Sequence, residues 1–268
     1  MTSIKDLHSG VRRFCTIVDV VTKFPKIVTE SINIDNIDSP TSTYNFEIDQ
    51  SIQDVSEEIY AALYPLYKES GLKATSPWVG IIISDRRNSE PTSRLRMCQA
   101  GSNAICEHFT LTFISSTQYT VSGYLSGNVG EGTTDTDFTS TGGDLIIPAG
   151  TYNDLFSGSF EQGDKIYISV NMWHRTIATI ATYLATGDAI RKISFMENTS
   201  IDPGIYERFS NHGKRMLNNL REEIYVLDTL PKRDFSDIQL GDWDDIYDKL
   251  GRPNEDYFQD KDLNNYED

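Results

Sequence analysis

Histidine and cysteine are scarce in this chain, four and three among 268 residues. Cys15, Cys98 and Cys106 are odd in number and match no zinc-ligand spacing. The simplest expectation is reduced thiols in a cytosolic setting, with a Cys98–Cys106 bridge as the pairing left open. The histidines, His8, His108, His174 and His212, are scattered. No pair stands at the i, i+4 spacing of a helix-borne metal site, so no metal or other cofactor is expected. A Gly-x-Ser-x-Gly elbow is also missing, which removes one common nucleophile signature. No run of about 18 apolar residues occurs, so no transmembrane helix and no membrane partner are expected. The start "MTSIKDLHSG" has no apolar stretch of the kind a secretion signal needs. There is no internal repeat. Bases are few, 24 against 40 acids, for a formal net charge of −16. Such a chain is poorly suited to non-specific adhesion to a phosphate backbone, which needs clustered Lys and Arg. A lumen through which DNA slides without sticking remains compatible with it.

Hydrophobic residues make up 38% of the chain and aromatics 11%, enough to fill a packed core. The clearest helix reads "QSIQDVSEEIYAALYPLYK" from Gln50 to Lys68. Ile48, Ile52, Val55, Ile59, Leu63 and Leu66 recur at three- and four-residue steps and form one stripe, with Asp54, Glu57 and Glu58 turned outward. The helix is expected to end between Tyr67 and Gly71, with Pro65 bending its last turn. Before it, Thr16 is placed to cap a helix from Ile17 to Phe24, but the β-branched run there reads equally as a strand. A second strong helix, "MWHRTIATIATYLAT", starts at Met172, with Trp173, Ile177, Ile180, Ala181 and Leu184 on one face. A third follows Asp202 as N-cap and Pro203 as first helical residue. It turns Ile205, Phe209, Met216, Leu220 and Ile224 inward, and Gly213 weakens it by about 1 kcal/mol relative to Ala.

Between these helices the hydrophobic period changes to two. "WVGIIIS", "HFTLTFISS", "QYTVSGYLSG", "DLIIPAG" and "DKIYISV" read as five short strands separated by turn residues. The expected fold is therefore α+β: a small helical hairpin or bundle with an inserted antiparallel β-sandwich or barrel. Its parts are helical core over 1–76 and 171–232, the β-domain over 77–170, and a C-terminal arm over 233–268. Asp234 to Asp268 carries 12 acids and 3 bases, hence −9 of the net charge. A short helix with Trp243, Ile246, Tyr247 and Leu250 on one side is expected within it.

Candidate sites were weighed against plainer readings. "GNVGEG" (Gly127 to Gly132) is glycine-rich, but no helix N-terminus or Lys follows it, so a hairpin loop is expected rather than a phosphate cradle. Arg86, Arg87, Arg94 and Arg96 form the one basic cluster, either a solvated loop or a contact for an acidic partner or phosphate. Asp135, Asp137 and Asp144 offer oxygen ligands for Ca²⁺, or simply a turn-rich surface. No enzyme activity is expected.

Two stretches carry a family likeness: "SIQDVSEEIYAALYPLYK", and "IATIATYLA" followed by "PGIYERFSNHGKRMLNNLRE". Together they resemble the head–tail connector (portal adaptor) proteins of tailed bacteriophages. The intervening "CEHFTLTF…GNVGEG…GSFEQGDKIYISV" looks like a β-domain common in phage virion proteins. The resemblance implies a non-catalytic structural protein of the virion neck, assembled in the host cytoplasm. It implies self-association, in twelve copies as is usual in the family, beneath the portal and against a tail or stopper protein. It also implies that packaged DNA passes through the lumen without sequence-specific binding. The roughly 95-residue insert departs from the compact members of that family. On this reading Trp243, Asp244, Asp245, Tyr247, Tyr257 and Phe258 in the acidic arm are the expected portal contacts, since aromatics in an otherwise acidic segment suit interface anchors. The alternative for the arm is folding back on its own helices. The alternative for the whole chain is a receptor- or carbohydrate-binding virion protein that uses tyrosines of the β-domain, Tyr119, Tyr124, Tyr152 and Tyr167.

Overall fold

The computed structural model describes residues 12–24, 43–67, 69–85, 94–148, 155–197 and 203–222. Helix α1 (Ile17–Lys23) is set by its cap. Thr16 Oγ1 accepts from the Asp19 backbone N–H at 3.3 Å, while the Asp19 carboxylate accepts from the Thr16 N–H at 2.8 Å. This reciprocal capping box satisfies two orphan donors and decides for helix against strand. Helix α2 (Thr43–Leu63) begins earlier than the hydrophobic stripe suggests and stops earlier too. Pro65 disfavours helical geometry at Tyr64. Leu66 and Tyr67 then donate back to the Leu63 carbonyl in a closing turn. The one-turn α3 (Glu69–Leu72) leads directly into the sheet.

Ten strands follow. They are β1 (Lys73–Asp85), β2 (Arg94–Leu95), β3 (Gln99–Ala100), β4 (Glu107–Phe113), β5 (Gln118–Gly123), β6 (Gly127–Thr133), β7 (Phe138–Thr139), β8 (Leu145–Ile147), β9 (Phe156–Ser157) and β10 (Lys165–Trp173). The main sheet is antiparallel, in the order β1-β10-β4-β5-β6. It is open, with β1 and β6 as its edges. Two small sheets, β2-β9 and β3-β8-β7, complete the β part. Helix α4 (Arg175–Glu197) and helix α5 (Pro203–Arg221) close the described chain.

Three expectations change here. "GNVGEG" is not a loop but most of strand β6. Its glycines make room for aromatic rings: a Cβ on Gly132 would stand 2.7 Å from the Tyr119 ring, and Gly130, at φ +139°, lies under Phe138. Met172 and Trp173 end β10 instead of starting the helix, because the ladder to β1 runs to the Lys73–Trp173 pair. Gly213 is not a weak point. A Cβ there would meet Leu184 Cγ at 2.6 Å, and one on Gly187 would meet Ser210 Oγ at 2.5 Å. Glycine at both positions lets α4 and α5 cross at close range.

The α+β class holds, and the main sheet lies between two apolar clusters. Strand β10 shows why: its alternate residues face opposite ways. Ile166, Ile168 and Val170 join Phe109, Leu111, Phe113 and Tyr119 in a core shared with the small sheets. Tyr167 and Trp173 instead join Phe14, Ile17, Ile48, Ile52, Ile59, Ile177 and Leu184 in the helical core. α4 sits centrally in that layer, packed on α1, α2 and α5, while α2 and α5 barely touch each other. All the described residues belong to one compact unit, residues 1–231.

Candidate functional site

Polar side chains that tie the segment around Arg13 to Thr16 both to α2 and to strand β10 form a buried seam. Arg13 Nε and Nη2 donate to Asp49 Oδ1 and Oδ2, both at 2.9 Å, with side-chain exposures of 5% and 12%. Gln53 Nε2 adds a third donor to Asp49 at 2.7 Å. Burial lowers the Arg13 pKa, but Asp49 outweighs it and the net direction is upward. Nearby, Asn171 Nδ2 donates to the Phe14 carbonyl at 2.8 Å and its Oδ1 accepts from the Trp173 N–H. Thr16 Oγ1 donates to Ser169 Oγ at 3.2 Å. Burial pushes the Asp19 carboxyl up, against the opposing effect of its hydrogen bonds from Thr16 and Ser169.

Cys15, Cys106, Glu107, His108 and Tyr124 line the same narrow crevice as Arg13 and Asp49. Glu107 is 2% exposed, yet its Oε2 accepts from the Leu125 and Ser126 N–H groups and its Oε1 from Ser126 Oγ. It thereby ties β4 to the β5–β6 turn. Burial raises its pKa despite those donors. The His108 ring stacks on Tyr124, centroids 4.9 Å apart. All three cysteines are free and buried; Cys98 and Cys106 do not pair. Burial pushes Cys98 up to about 12 and holds Cys15 and Cys106 well above the ordinary thiol range. Such thiols stay protonated and are poor nucleophiles. The seam is built to hold two layers together.

The larger opening is a groove of about 450 Å³ over α4, walled by α2 and α5. Asp54 and Glu58 stand on one wall, Glu207 and Lys214 on the other. Lys192, on the floor, bridges Asp54 Oδ2 and Asp188 Oδ2, both at 2.9 Å. Burial by itself raises Asp188, but Lys192, Ser51 and Arg191 together hold it below the ordinary carboxylate range.

The described histidines have structural surroundings. The Nδ1 of His174 accepts from the Thr176 N–H at 3.3 Å at the start of α4, and partial burial lowers its pKa. His212 packs on Tyr183, ring centroids 4.4 Å apart. His8 lies outside the described residues. Among the described residues, no group of three or more His, Cys, Asp or Glu is arranged to hold a metal ion. Asp144, one of the three candidate oxygen donors, is 1% exposed and sits in a turn where its N–H and that of Leu145 donate to Ser140 Oγ.

Of the sequence-predicted contacts, Arg94 and Arg96 are exposed on either side of buried Leu95, where β2 pairs with β9. Arg86 and Arg87 lie outside the described residues, as do Trp243, Asp244, Asp245, Tyr247, Tyr257 and Phe258. Of the tyrosines, Tyr119 and Tyr167 are fully buried and Tyr124 is half-buried, while Tyr152 is outside the described set. Trp78 turns inward: its Nε1 donates to the Trp173 carbonyl at 2.8 Å, and Arg175 lies 5.1 Å from its ring. The Arg13–Asp49 pair escaped the sequence reading because 36 residues separate its members. The Thr16-x-x-Asp19 box was legible in principle.

No family model matches the chain, and no curated protein matches it. Among solved structures, FlgL of Xanthomonas campestris is similar in two crystal forms. The first has 9% identity and a TM-score of 0.26, covering 78% of this chain and 89% of that one. The second has 9% identity and a TM-score of 0.25, covering 77% and 82%. Similarity at that level supports no argument about fold or function.

Proposed function

We propose that this protein is a non-catalytic subunit of the neck of a tailed-phage virion. Its copies form an adaptor ring between portal and tail or stopper and extend the DNA channel. The observation that supports this reading is the packing of the segments that carry the resemblance. α2 and α4 lie against each other in one core, and Pro-led α5 completes the layer. Only His174 separates the end of β10 from α4, so the sheet is coupled directly to the assembling helices. In this reading the helical layer makes the ring, the β part offers a second contact surface, and the 233–268 arm docks on the portal. The test is native mass spectrometry of the protein alone and mixed with the portal protein from the same genome. Addition to the portal in multiple copies is the expected result. A stable trimer that ignores the portal would refute the reading and favour receptor binding. The buried Tyr119 and Tyr167 weigh against that second reading, since glycan platforms need exposed rings.

A further inference from the structure

The helices that flank α4 carry opposite charge. α2 has five acids, Glu47, Asp49, Asp54, Glu57 and Glu58, and no base. α5 has four bases, Arg208, Lys214, Arg215 and Arg221, against the single acid Glu207. Asp49 is consumed inside by Arg13, Glu57 reaches Arg12 at 3.6 Å, and Asp54 reaches Lys192. Glu47 and Glu58 have no ion pair among the described residues. The same is true of Arg208, Lys214, Arg215 and Arg221, all exposed.

The spacing matches as well as the sign. At 100° per residue, steps of seven and four keep Glu47, Asp54 and Glu58 on one stripe. Steps of seven put Arg208 with Arg215 along one row of α5, and Lys214 with Arg221 along another. Each seven-residue step rises about 10.5 Å, so the acidic and basic rows share one axial repeat. Within one molecule the two helices are held apart by α4, and only Lys214 shares a groove with Asp54 and Glu58. Among the described residues the remaining bases have no acidic partner.

We propose that α5 of one copy docks along α2 of the next copy. The two surfaces differ, so the contact is heterologous: each copy gives one face and receives the other, and the chain of contacts closes into a ring or continues as a filament. The inference rests on the reading above of a self-assembling subunit and adds the surfaces that join. It does not need the portal.

The test is a charge swap read by sedimentation velocity up to the solubility limit. One variant carries Arg208→Glu and Arg215→Glu, the other Glu47→Lys and Glu58→Lys. Among the described residues these sites have no ion pair to lose, and circular dichroism melts check that both variants fold. Each variant alone should associate roughly tenfold or more weakly than wild type, because favourable exposed pairs become repulsive. An equimolar mixture should regain wild-type association, since either contact between unlike variants again joins opposite charges. If net charge alone governed association, the Glu→Lys variant, less negative than wild type, would associate more tightly, and that result overturns the proposal. Wild type that stays monomeric throughout overturns it too, while the portal experiment still decides the adaptor reading. If only the α5 variant weakens, its partner is another acidic surface, the 234–268 arm foremost, and the pairing with α2 is wrong. If the α5 variant loses retention of DNA with self-association unchanged, α5 serves phosphate instead and the proposal fails.

Discussion

Replacing Asp49 by Asn tests how the helical layer is held. The substitution keeps the shape and removes the charge. Arg13 then remains 5% exposed, with both of its 2.9 Å contacts weakened and the Asp49 charge gone. A guanidinium does not escape by losing its proton. Breaking one side of a buried pair costs about 3–5 kcal/mol because the other charge stays buried. At roughly 2–4 °C per kcal/mol for a domain of this size, the melting temperature should fall by about 6–20 °C. The assay is thermal and urea unfolding of wild type, Asp49→Asn, Arg13→Met and the double variant Arg13→Met/Asp49→Leu. The double variant should recover most of the loss, since apolar replacement of both partners is often near neutral. A loss under about 1 kcal/mol for Asp49→Asn, in line with an exposed pair, would refute the reasoning.

Four further outcomes are expected. Gly213→Ala should destabilise by about 1–3 kcal/mol in urea unfolding through overpacking on Leu184, where helix propensity alone would stabilise. Thr16→Ala should cost about 0.5–2 kcal/mol through loss of the α1 cap, read in the same assay. Burial raises the folded pKa of Glu107, so within the window above the ordinary carboxylate range the folded state holds a proton that the unfolded state has released. Its contribution is therefore present at low pH and lost as pH rises through that window. Glu107→Gln, whose amide oxygen can still accept from the Leu125 and Ser126 N–H groups while its NH2 donates to Ser126 Oγ, should flatten this slope; an unchanged slope would assign it elsewhere. Lastly, Cys15, Cys98 and Cys106 should resist a thiol reagent in the native state and react together on unfolding. Fast native labelling of any one would contradict its burial.

Periodicity made the helices legible. Of the expected stripe, Ile48, Ile52, Val55, Ile59 and Leu63 are buried on α2, while Leu66 falls past the helix end and is half-buried; Ile177, Ile180, Ala181 and Leu184 are buried on α4, and Trp173, also buried, belongs to β10. Alternation did the same for Phe109, Leu111 and Phe113 in β4. Pro203 marked the start of α5. These features depend on neighbours a few residues away, and a local pattern suffices to read them.

Other features depend on what approaches from elsewhere in the chain. Whether "CTIVDVVTKF" forms a helix turned on the Thr16–Asp19 box and on Ser169, 153 residues from Thr16. "GNVGEG" became a strand because β5 offered a partner and the Tyr119 and Phe138 rings needed glycine beneath them. Gly213 reads as a defect in isolation and as a fitted contact once Leu184 lies against it. Composition alone determined the acidity of the chain and the opposite charges of its flanking helices. Only the tertiary structure decided that α4 lies between those helices, because the close Gly187 and Gly213 crossing with α5 and the apolar stripe of α2 both claim the same central helix. That arrangement sets Asp54 and Glu58 of α2 and Lys214 of α5 on opposite walls of the groove over α4.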